Sequence, residues 1–440
     1  MNPNPYLSGN FAPVTEEVTA FDLDVTGQIP VELNGRYLRN GPNPRAADPA
    51  RYHWFLGDGM IHGLRLRDGR AEWYRNRWVT EQQGTSPNTN VIGLNGQTLA
   101  LVEAGSPPVE LGYELERMDV CQFTGGQLNG YSAHPKVDPV SGDLHAASYN
   151  WSVPNVIEYS VVGSHGSVDR RELIPVPGSP MVHDISLTQN YAVFYDLPVV
   201  FNLEDAAAGA GFPYAWSNEY GARIGLLPLG GVGTDELRWF EVDPCYVFHA
   251  LNSYEAVGLQ GQQLVVLDVV RHDRVFDRSR RGPDESVPSL WRWELDLDSG
   301  KVTEEQLSDE AVEFPRIDER LVGRQHRYGW LASTPGHTGA DSGPGFEFDG
   351  ASIACFDFEQ NSMICHEMGP GRAAGEAVFV PAASGAGELE GYVMSLVYDA
   401  STDRSDLVIL AAQDLSADPV ATVHLPQRVP FGFHGNFVAE

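Results

Sequence analysis

The sequence predicts an all-β protein, and its strand pattern favours a β-propeller. Most of the 440 residues fall into short strand-like stretches, and 46 glycines and 30 prolines occur at short intervals between them. Three successive strands with turns between them are predicted over residues 391–398, 406–412 and 420–425, which is the spacing of a β-meander. Meanders repeated over four hundred residues are typical of propellers, although the self-similarity is too weak to count the blades.

Turn sequences mark further strand boundaries earlier in the chain. Residues 138–143 (DPVSGD) and 296–301 (DLDSGK) each join two strand-like stretches. Residues 202–223 interrupt the strands with small and aromatic side chains, and this insertion is interpreted either as a lid or tunnel wall or as an ordinary surface loop. Residues 273–289 are charged and contain proline, which predicts a solvated loop.

Composition limits the classes of partner and the compartment. The formal net charge is −31, and only Lys136 and Lys301 among the 29 basic residues are lysine. Such an acidic surface argues against nucleic acid and allows at most weak peripheral membrane contact through a local apolar patch. The four cysteines form no CxxC pair and the N-terminus has no signal-peptide pattern, so we expect free buried thiols and a cytoplasmic protein. No linker or composition break divides residues 1–440, which favours one domain.

Four histidines in short, distinctive frames are candidate metal ligands, namely His134, His183, His249 and His434. Their intervals of 49, 66 and 185 residues match no local zinc motif, so the tertiary fold would have to assemble a shared site. In a propeller, innermost strands of different blades point towards one axis, where distant histidines can meet. Four neutral imidazoles would hold a borderline divalent metal such as ferrous iron.

Three glutamates lie in apolar, strand-like frames, where a carboxylate is costly to bury without a partner: Glu103, Glu313 and Glu376. One interpretation is that each holds the second ring nitrogen of a metal-bound histidine. The other is that each pairs with a buried arginine, such as Arg316 or Arg372. The residues by themselves leave both interpretations open.

Taken together, these frames resemble the carotenoid cleavage dioxygenase family, which includes the retinoid isomerase and the bacterial stilbene dioxygenases. The resemblance runs nearly end to end and in the correct order, through residues 35–44 (GRYLRNGPNP), 53–63 (HWFLGDGMIHG), 133–139 (AHPKVDP), 313–317 (EFPRI) and 432–435 (GFHG). It implies a seven-bladed β-propeller with one Fe(II) per chain on its axis, under a dome of loops and short helices.

The resemblance also implies roles for individual residues. Four residues would be the iron ligands, namely His134, His183, His249 and His434. Carboxylates would hold three of these imidazoles and leave His134 without one, and the carboxylates would be those of Glu103, Glu313 and Glu376. His62 matches a recurrent family histidine that is not a ligand, and Phe55 falls where related enzymes place a tunnel-lining aromatic side chain.

The function that the resemblance implies is oxidative cleavage of a C=C double bond by O2, giving two carbonyl products. Four neutral ligands suit O2 and an electron-rich alkene better than hydrolysis. Stilbene-cleaving members resemble one another in a lysine just before the first of the three glutamates, where this chain has Val102, which cannot bond a phenol. We therefore expect a lipophilic carotenoid or apocarotenoid substrate. Stilbene cleavage, polyene isomerisation and a non-catalytic binding propeller are the alternatives.

Overall fold

The computed structural model describes residues 4–81, 87–333 and 351–440. Within these residues the strands form seven sheets of four to six strands, together with a separate two-stranded hairpin. The first strands of neighbouring sheets contact one another around a central axis. The prediction of a seven-bladed β-propeller is therefore confirmed.

Blades 2 to 6 are each a four-stranded antiparallel sheet. Blade 2 comprises Asn90–Leu94, Gln97–Leu101, Val109–Leu111 and Arg117–Val120. Blade 3 comprises Lys136–Val137, Leu144–Asn150, Val153–Val162 and Val168–Pro175. Blade 4 comprises Ile185–Leu187, Tyr191–Asp196, Arg223–Pro228 and Arg238–Glu241. Blade 5 comprises Ala250–Val257, Gln263–Arg271, Ser289–Asp296 and Val302–Gln306. Blade 6 comprises Val312–Arg316, Tyr328–Ser333, Ser352–Asp357 and Ser362–His366.

Blades 1 and 7 close the ring by combining strands from both ends of the chain. Blade 1 comprises Thr19–Phe21, Gly35–Pro42, Gly59–Arg67, Arg70–Trp78 and the late strand Gly435–Ala439. Blade 7 comprises Arg372–Ala374, Val378–Pro381, Gly391–Asp399, Arg404–Ala411, Ala421–His424 and the early strand Val25–Gly27. The late strand pairs with Gly35–Pro42 and the early strand with Ala421–His424. Backbone hydrogen bonds within blades 1 and 7 therefore hold the two ends of the chain together.

The elements outside the blades are short. In the described part of the chain four are 3-10 helices, Pro5–Leu7, Gly9–Phe11, Trp54–Leu56 and Glu319–Leu321. The α-helix Leu203–Ala207 and the hairpin of Val199–Phe201 with Tyr214–Trp216 fall largely in the predicted insertion. The helix begins at Asn202, whose side-chain oxygen accepts the backbone N–H groups of Glu204 and Asp205. The insertion is therefore folded, and it forms part of the dome over one face of the ring.

Residues 273–289 differ from the predicted solvated loop. Val275 and Phe276 are fully buried, and the ring of Phe276 packs against that of Phe212 at 4.9 Å. The buried carboxylate of Glu285 accepts backbone N–H groups within the same segment and pairs with Arg278 at 3.0 Å. Because its buried charge is satisfied locally, the segment can fold back against the dome despite its polar composition.

Large side chains fill the spaces between neighbouring blades. Trp330 of blade 6 is almost fully buried and stacks on Phe379 of blade 7 with 5.8 Å between ring centroids. All four cysteines are free, as the sequence predicts, but only Cys245 is buried and Cys365 is exposed. Among the described residues, no helix has the length and apolar character needed to cross a membrane.

Candidate metal centre and aromatic cavity

The four candidate histidines all lie at the start of an innermost strand, each in a different blade. His134 and His183 precede the first strands of blades 3 and 4 by two residues, whereas His249 and His434 directly precede Ala250–Val257 and Gly435–Ala439. Innermost strands begin close to the propeller axis, so side chains at these positions converge although they are distant in sequence. All four histidines are buried.

The converging atoms are the Nε2 nitrogens. The Nε2 atom of His183 lies 3.1 Å from that of His134 and 3.3 Å from that of His249, which lies 3.1 Å from that of His434. All four lie within 4.8 Å of one another. Metal–nitrogen bonds of about 2.1 Å would place adjacent nitrogens of an octahedron about 3.0 Å apart, so the spacing suits one metal ion.

Carboxylates hold the opposite nitrogen of three of the four rings. The Nδ1 atom of His183 lies 3.1 Å from both oxygens of Glu103. The Nδ1 atom of His249 lies 2.7 Å from Glu313, and that of His434 lies 2.9 Å from Glu376. No carboxylate among the described residues bonds the ring of His134. The structure thus brings together the residues that the sequence singled out.

This hydrogen bonding determines which nitrogen carries the proton. A carboxylate only accepts hydrogen bonds, so the Nδ1 atoms of His183, His249 and His434 must be the donors. When the rings are neutral, their Nε2 atoms carry no proton and direct lone pairs at one another. These atoms are 3.1 to 3.3 Å apart, so the lone pairs repel. A cation among them removes that repulsion. The donor set therefore fits a divalent metal held by four imidazoles.

The pKa shifts at the cluster favour neutral rings at His134 and His434 and an ionised carboxylate at Glu376. Burial lowers the pKa of His134 well below its usual range and that of His434 to about 4. Burial also lowers the pKa of His183, but the charge and hydrogen bond of Glu103 together with the charges of Asp184 and Glu313 outweigh it, and the net pKa is raised. Burial raises the pKa of Glu376, yet Arg316 and His434 outweigh it and hold the value at about 2. A metal ion held by the Nε2 atoms would compete with protonation of these same atoms.

Each carboxylate also lies near a second polar residue, and only Arg316 among these three residues is a candidate partner from the sequence. Burial and the charge of Glu103 raise the pKa of the Tyr149 hydroxyl, and the Nε2 atom of His272 donates to Glu313 at 3.0 Å. Arg316 pairs with Glu376 at 3.2 Å, so this glutamate satisfies both interpretations of its buried frame. Arg372, the other arginine considered, pairs instead with Asp406 at 2.7 Å.

An aromatic cavity of about 500 Å³ opens onto the cluster from the dome side. It reaches His183, His249 and His434, and its wall includes both Phe55 and Val102. Eight further aromatic side chains line it: Trp54, Tyr149, Trp151, Phe212, Tyr214, Phe248, Phe314 and Phe433. Its described wall contains no lysine or arginine. Such a cavity suits an extended apolar ligand that needs no counter-charge.

Phe55 is central to that wall. It lies on the short helix Trp54–Leu56, and its ring meets those of Phe212 and Phe433 at 5.7 Å and those of Phe248 and Phe276 at 6.0 Å. His62 lies elsewhere, buried in blade 1 with its Nδ1 atom 2.8 Å from the hydroxyl of Tyr74. The wall is thus assembled from residues of the dome and from neighbours of the histidines.

Comparison with known proteins agrees with this architecture. A family model described as RPE65, retinal pigment epithelial membrane protein, matches residues 11–439. The chain belongs to the RPE65 and carotenoid oxygenase family. It is 44% identical to a carotenoid cleavage oxygenase of Mycobacterium tuberculosis, over 99% of this chain and 97% of that protein.

Two further relatives show the breadth of the family. The chain is 32% identical to a carotenoid 9,10(9',10')-cleavage dioxygenase of Crocus sativus, over 100% of this chain and 90% of that protein. Among solved structures, a lignostilbene dioxygenase of Pseudomonas brassicacearum is similar with a TM-score of 0.87 and 26% identity, over 99% of this chain and 98% of that chain. The four-histidine cluster of this carotenoid oxygenase accordingly indicates a metal centre.

Metal binding is expected to stabilise this carotenoid oxygenase measurably. A ligand that binds only the folded state at 1,000 times its Kd adds about 4 kcal/mol to the free energy of unfolding. Protein purified with a chelator should therefore melt at a higher temperature after addition of Fe(II), Co(II) or Zn(II), as followed by circular dichroism under anaerobic conditions. Mg(II), which prefers oxygen ligands, serves as the control. An unchanged melting temperature with all three nitrogen-binding metals would contradict the assignment.

Proposed function

We propose that this protein is an Fe(II) dioxygenase that cleaves one C=C double bond of a carotenoid or apocarotenoid with O2. The observation that carries the proposal is the cluster of four buried histidines at the end of an aromatic cavity. The 44% identity to a carotenoid cleavage oxygenase supports the same reaction class. In this reaction one C=C and one O–O bond break and two C=O bonds form, so no reductant is consumed.

The proposed ligands of iron are His134, His183, His249 and His434, with the carboxylates of Glu103, Glu313 and Glu376 fixing three of the rings. When bound, Fe(II) would supply the redox chemistry that lets O2 react with an alkene. Four neutral nitrogens without a carboxylate ligand distinguish this donor set from the two-histidine, one-carboxylate sites of other non-haem iron oxygenases. The buried glutamates fix the tautomer of the imidazoles, which keeps the Nε2 lone pairs directed at the metal.

The aromatic wall is proposed to position the substrate. A conjugated polyene is long, flat and apolar, and it can stack along ring faces such as those of Phe55 and Phe212. The reacting double bond would then be selected by how far the polyene extends past the histidines. The rings packed at 5.7 to 6.0 Å around Phe55 form an apolar surface that offers water no hydrogen-bonding partner. The protein thereby contributes orientation and exclusion of water rather than an acid or base.

Cleavage of a hydroxylated stilbene is the second candidate function. The similarity to a lignostilbene dioxygenase favours it, and so does the hydroxyl of Tyr149 on the cavity wall. In this chain, however, Val102 takes the position before Glu103 where stilbene-cleaving members share a lysine. The cavity wall therefore offers a phenol one hydrogen-bonding group fewer.

The experiment that tests the proposal is aerobic incubation of iron-loaded protein with a substrate panel. The panel contains a C40 carotenoid, long and short apocarotenals and two hydroxystilbenes, and products are identified by mass spectrometry. Paired aldehydes or ketones from a polyene are the expected result. Cleavage of the stilbenes alone would establish the second candidate instead. An isomerised polyene without oxygen consumption would contradict both.

Val102 provides a direct test of substrate class. Replacing it by lysine should place an ammonium group next to Glu103 in an otherwise apolar wall, which disfavours a polyene and offers a phenol a partner. We expect the ratio of hydroxystilbene to polyene kcat/KM to rise by about 100-fold or more. Val102→Met is the matched control, since it lengthens the side chain without a charge. An equal effect of both substitutions would show that Val102 acts by shape alone.

We also propose weak peripheral contact with a membrane at the cavity mouth. Trp151 lines the cavity yet is 48% exposed, and its ring meets that of Phe201 at 6.0 Å. Leu203, two residues after Phe201, is 75% exposed. With a net charge of −31, contact would rest on apolar insertion. Sedimentation with phosphatidylcholine vesicles should fall when Trp151 and Leu203 become serine, and an unchanged bound fraction would refute the patch.

A further inference from the structure

Three of the four histidine-bearing segments meet at one buried carboxylate, that of Asp184. Asp184 directly follows His183 and its side chain is only 1% exposed. The ammonium group of Lys136, two residues after His134, lies 2.9 Å from its Oδ1 atom and 3.1 Å from its Oδ2 atom. The backbone N–H of Ala250, the residue after His249, donates to the same Oδ2 atom at 3.0 Å. One side chain therefore connects blades 3, 4 and 5 beside the metal cluster.

The contacts of Asp184 are those of a fixed charge. Its Oδ1 atom also accepts the backbone N–H of Ile185 at 2.7 Å, so both oxygens are occupied. A buried carboxylate without partners would be strongly destabilising, and removing one partner of such a pair leaves an uncompensated charge. Lys136 is one of only two lysines in the chain. Because lysine is so rare in this chain, we take the Lys136–Asp184 pair as a specific one.

His134 is the imidazole that most needs this connection, because no carboxylate among the described residues holds its ring. Its segment is fixed through the backbone instead. The side-chain amide of Asn90 donates to the carbonyl of Ala133 at 2.9 Å, and the backbone N–H of His134 donates to the Ser132 hydroxyl at 3.0 Å. Pro135, whose ring restricts φ, links His134 to Lys136. A displacement of Lys136 would thus be transmitted to the His134 ring.

We infer that Asp184 is a positioning residue of the metal centre: through Lys136 and the Ala250 amide it holds His134 and His249 in register with His183. The inference rests on the proposed metal site. The ion pair of Asp184 with Lys136 fixes the position of His134, as a carboxylate fixes each of the other three rings. Its effect should appear in metal affinity and coordination geometry rather than only in folding.

The chain offers a matched comparison for an ordinary stabilising ion pair. Asp196 has a fully buried side chain and pairs with Arg223 at 2.8 Å, but both residues belong to blade 4 and neither adjoins a histidine of the cluster. Its carboxylate also accepts the hydroxyl of Tyr220 at 2.7 Å. Replacing either aspartate by asparagine removes a carboxylate of similar burial, with three partners at Asp184 and two at Asp196. Only the Asp184 substitution loosens the histidines.

The test compares Co(II) binding by the wild type, Asp184→Asn and Asp196→Asn in the absence of substrate and O2. Affinity is measured by competition with a chromophoric chelator, geometry by the visible absorption of bound Co(II), and stability by thermal melting. Asp184→Asn should raise the Kd for Co(II) by about 10- to 100-fold and alter the spectrum, as outer partners of metal ligands do. Asp196→Asn should lower only the melting temperature.

Lys136 variants keep the inference testable if Asp184→Asn does not fold. Lys136→Met should weaken Co(II) binding, whereas Lys136→Arg, which keeps the charge and can still reach Asp184, should restore most of it. Unchanged affinity and spectrum in Lys136→Met and Asp184→Asn would overturn the inference and leave the pair a structural one. Failure of the wild type itself to bind Co(II) would instead count against the proposed metal site, so the two failures are distinguishable.

Discussion

Replacing His249 by alanine is expected to abolish cleavage and most metal binding. His249 is central to the cluster, since its Nε2 atom lies within 3.3 Å of those of both His183 and His434. Loss of a partner behind a metal ligand typically weakens binding about 10- to 100-fold, so loss of the ligand itself should exceed about 100-fold. Metal content by mass spectrometry after dialysis and polyene turnover should fall together.

His62→Ala is the matched control for His249→Ala. His62 is also buried, but it bonds the hydroxyl of Tyr74 within blade 1 and lies outside the cluster. Its loss should lower the melting temperature while leaving one metal per chain. If His249→Ala kept its metal and its turnover, the four-histidine assignment would be wrong.

Glu313→Gln is expected to produce the second largest effect. The carboxylate of Glu313 accepts the Nδ1–H of His249 at 2.7 Å and the Nε2–H of His272 at 3.0 Å. An amide has one oxygen and one NH2 group, so it can accept from only one of the two rings. The oxygen atom that faces His249 also accepts the backbone N–H of Phe314, so the amide oxygen of glutamine should take that position and its NH2 group should face His272. A neutral amide is a weaker acceptor than a carboxylate, so it holds the Nδ1–H of His249 less firmly.

We therefore expect Glu313→Gln to raise the Kd for the metal by about 10- to 100-fold and to lower kcat at subsaturating iron. Glu158→Gln is the control, because Glu158 is equally buried and bonds Arg171 and Asn129 in blade 3, away from the metal. Both variants should lose stability. Equal metal affinity in the two variants would show that Glu313 only fills space.

Much of the fold could be predicted because a meander is a local pattern. The strands expected near residues 391–398 and 406–412 are present as Gly391–Asp399 and Arg404–Ala411, with turns between them. The closure of the ring could not be predicted in this way, because it pairs Gly435–Ala439 with Gly35–Pro42 across the whole chain. The number of blades came from the family resemblance and not from periodicity.

The candidate site shows the same division between local and long-range information. A buried glutamate in an apolar frame signals a partner but not its identity, which is why Glu376 turned out to hold both His434 and Arg316. His272 and Tyr149 carry no sequence signal of their own, since their roles arise only where blades meet. Lys136 and Asp184 did carry a signal, because each stands within two residues of a candidate histidine.

The aromatic wall could be anticipated only in part. Phe55 was assigned from the resemblance, whereas Phe248 and Phe433 could have been noticed as the residues immediately before His249 and His434. The segment 273–289 was misjudged because its charged residues satisfy one another locally, which composition does not reveal. Phe276 thereby reaches Phe212 on the cavity side of the dome.

The measurement that most directly tests the central proposal is cleavage of a polyene under ¹⁸O2 by the iron-loaded protein. Products would be reduced to alcohols immediately after short reactions, because carbonyl oxygens exchange with water, and a parallel reaction in H2¹⁸O would measure that exchange. A dioxygenase at the four-histidine centre predicts one ¹⁸O atom in each of the two products and none in the His249→Ala reaction. Label in only one product, or in neither after correction for exchange, would contradict the proposal.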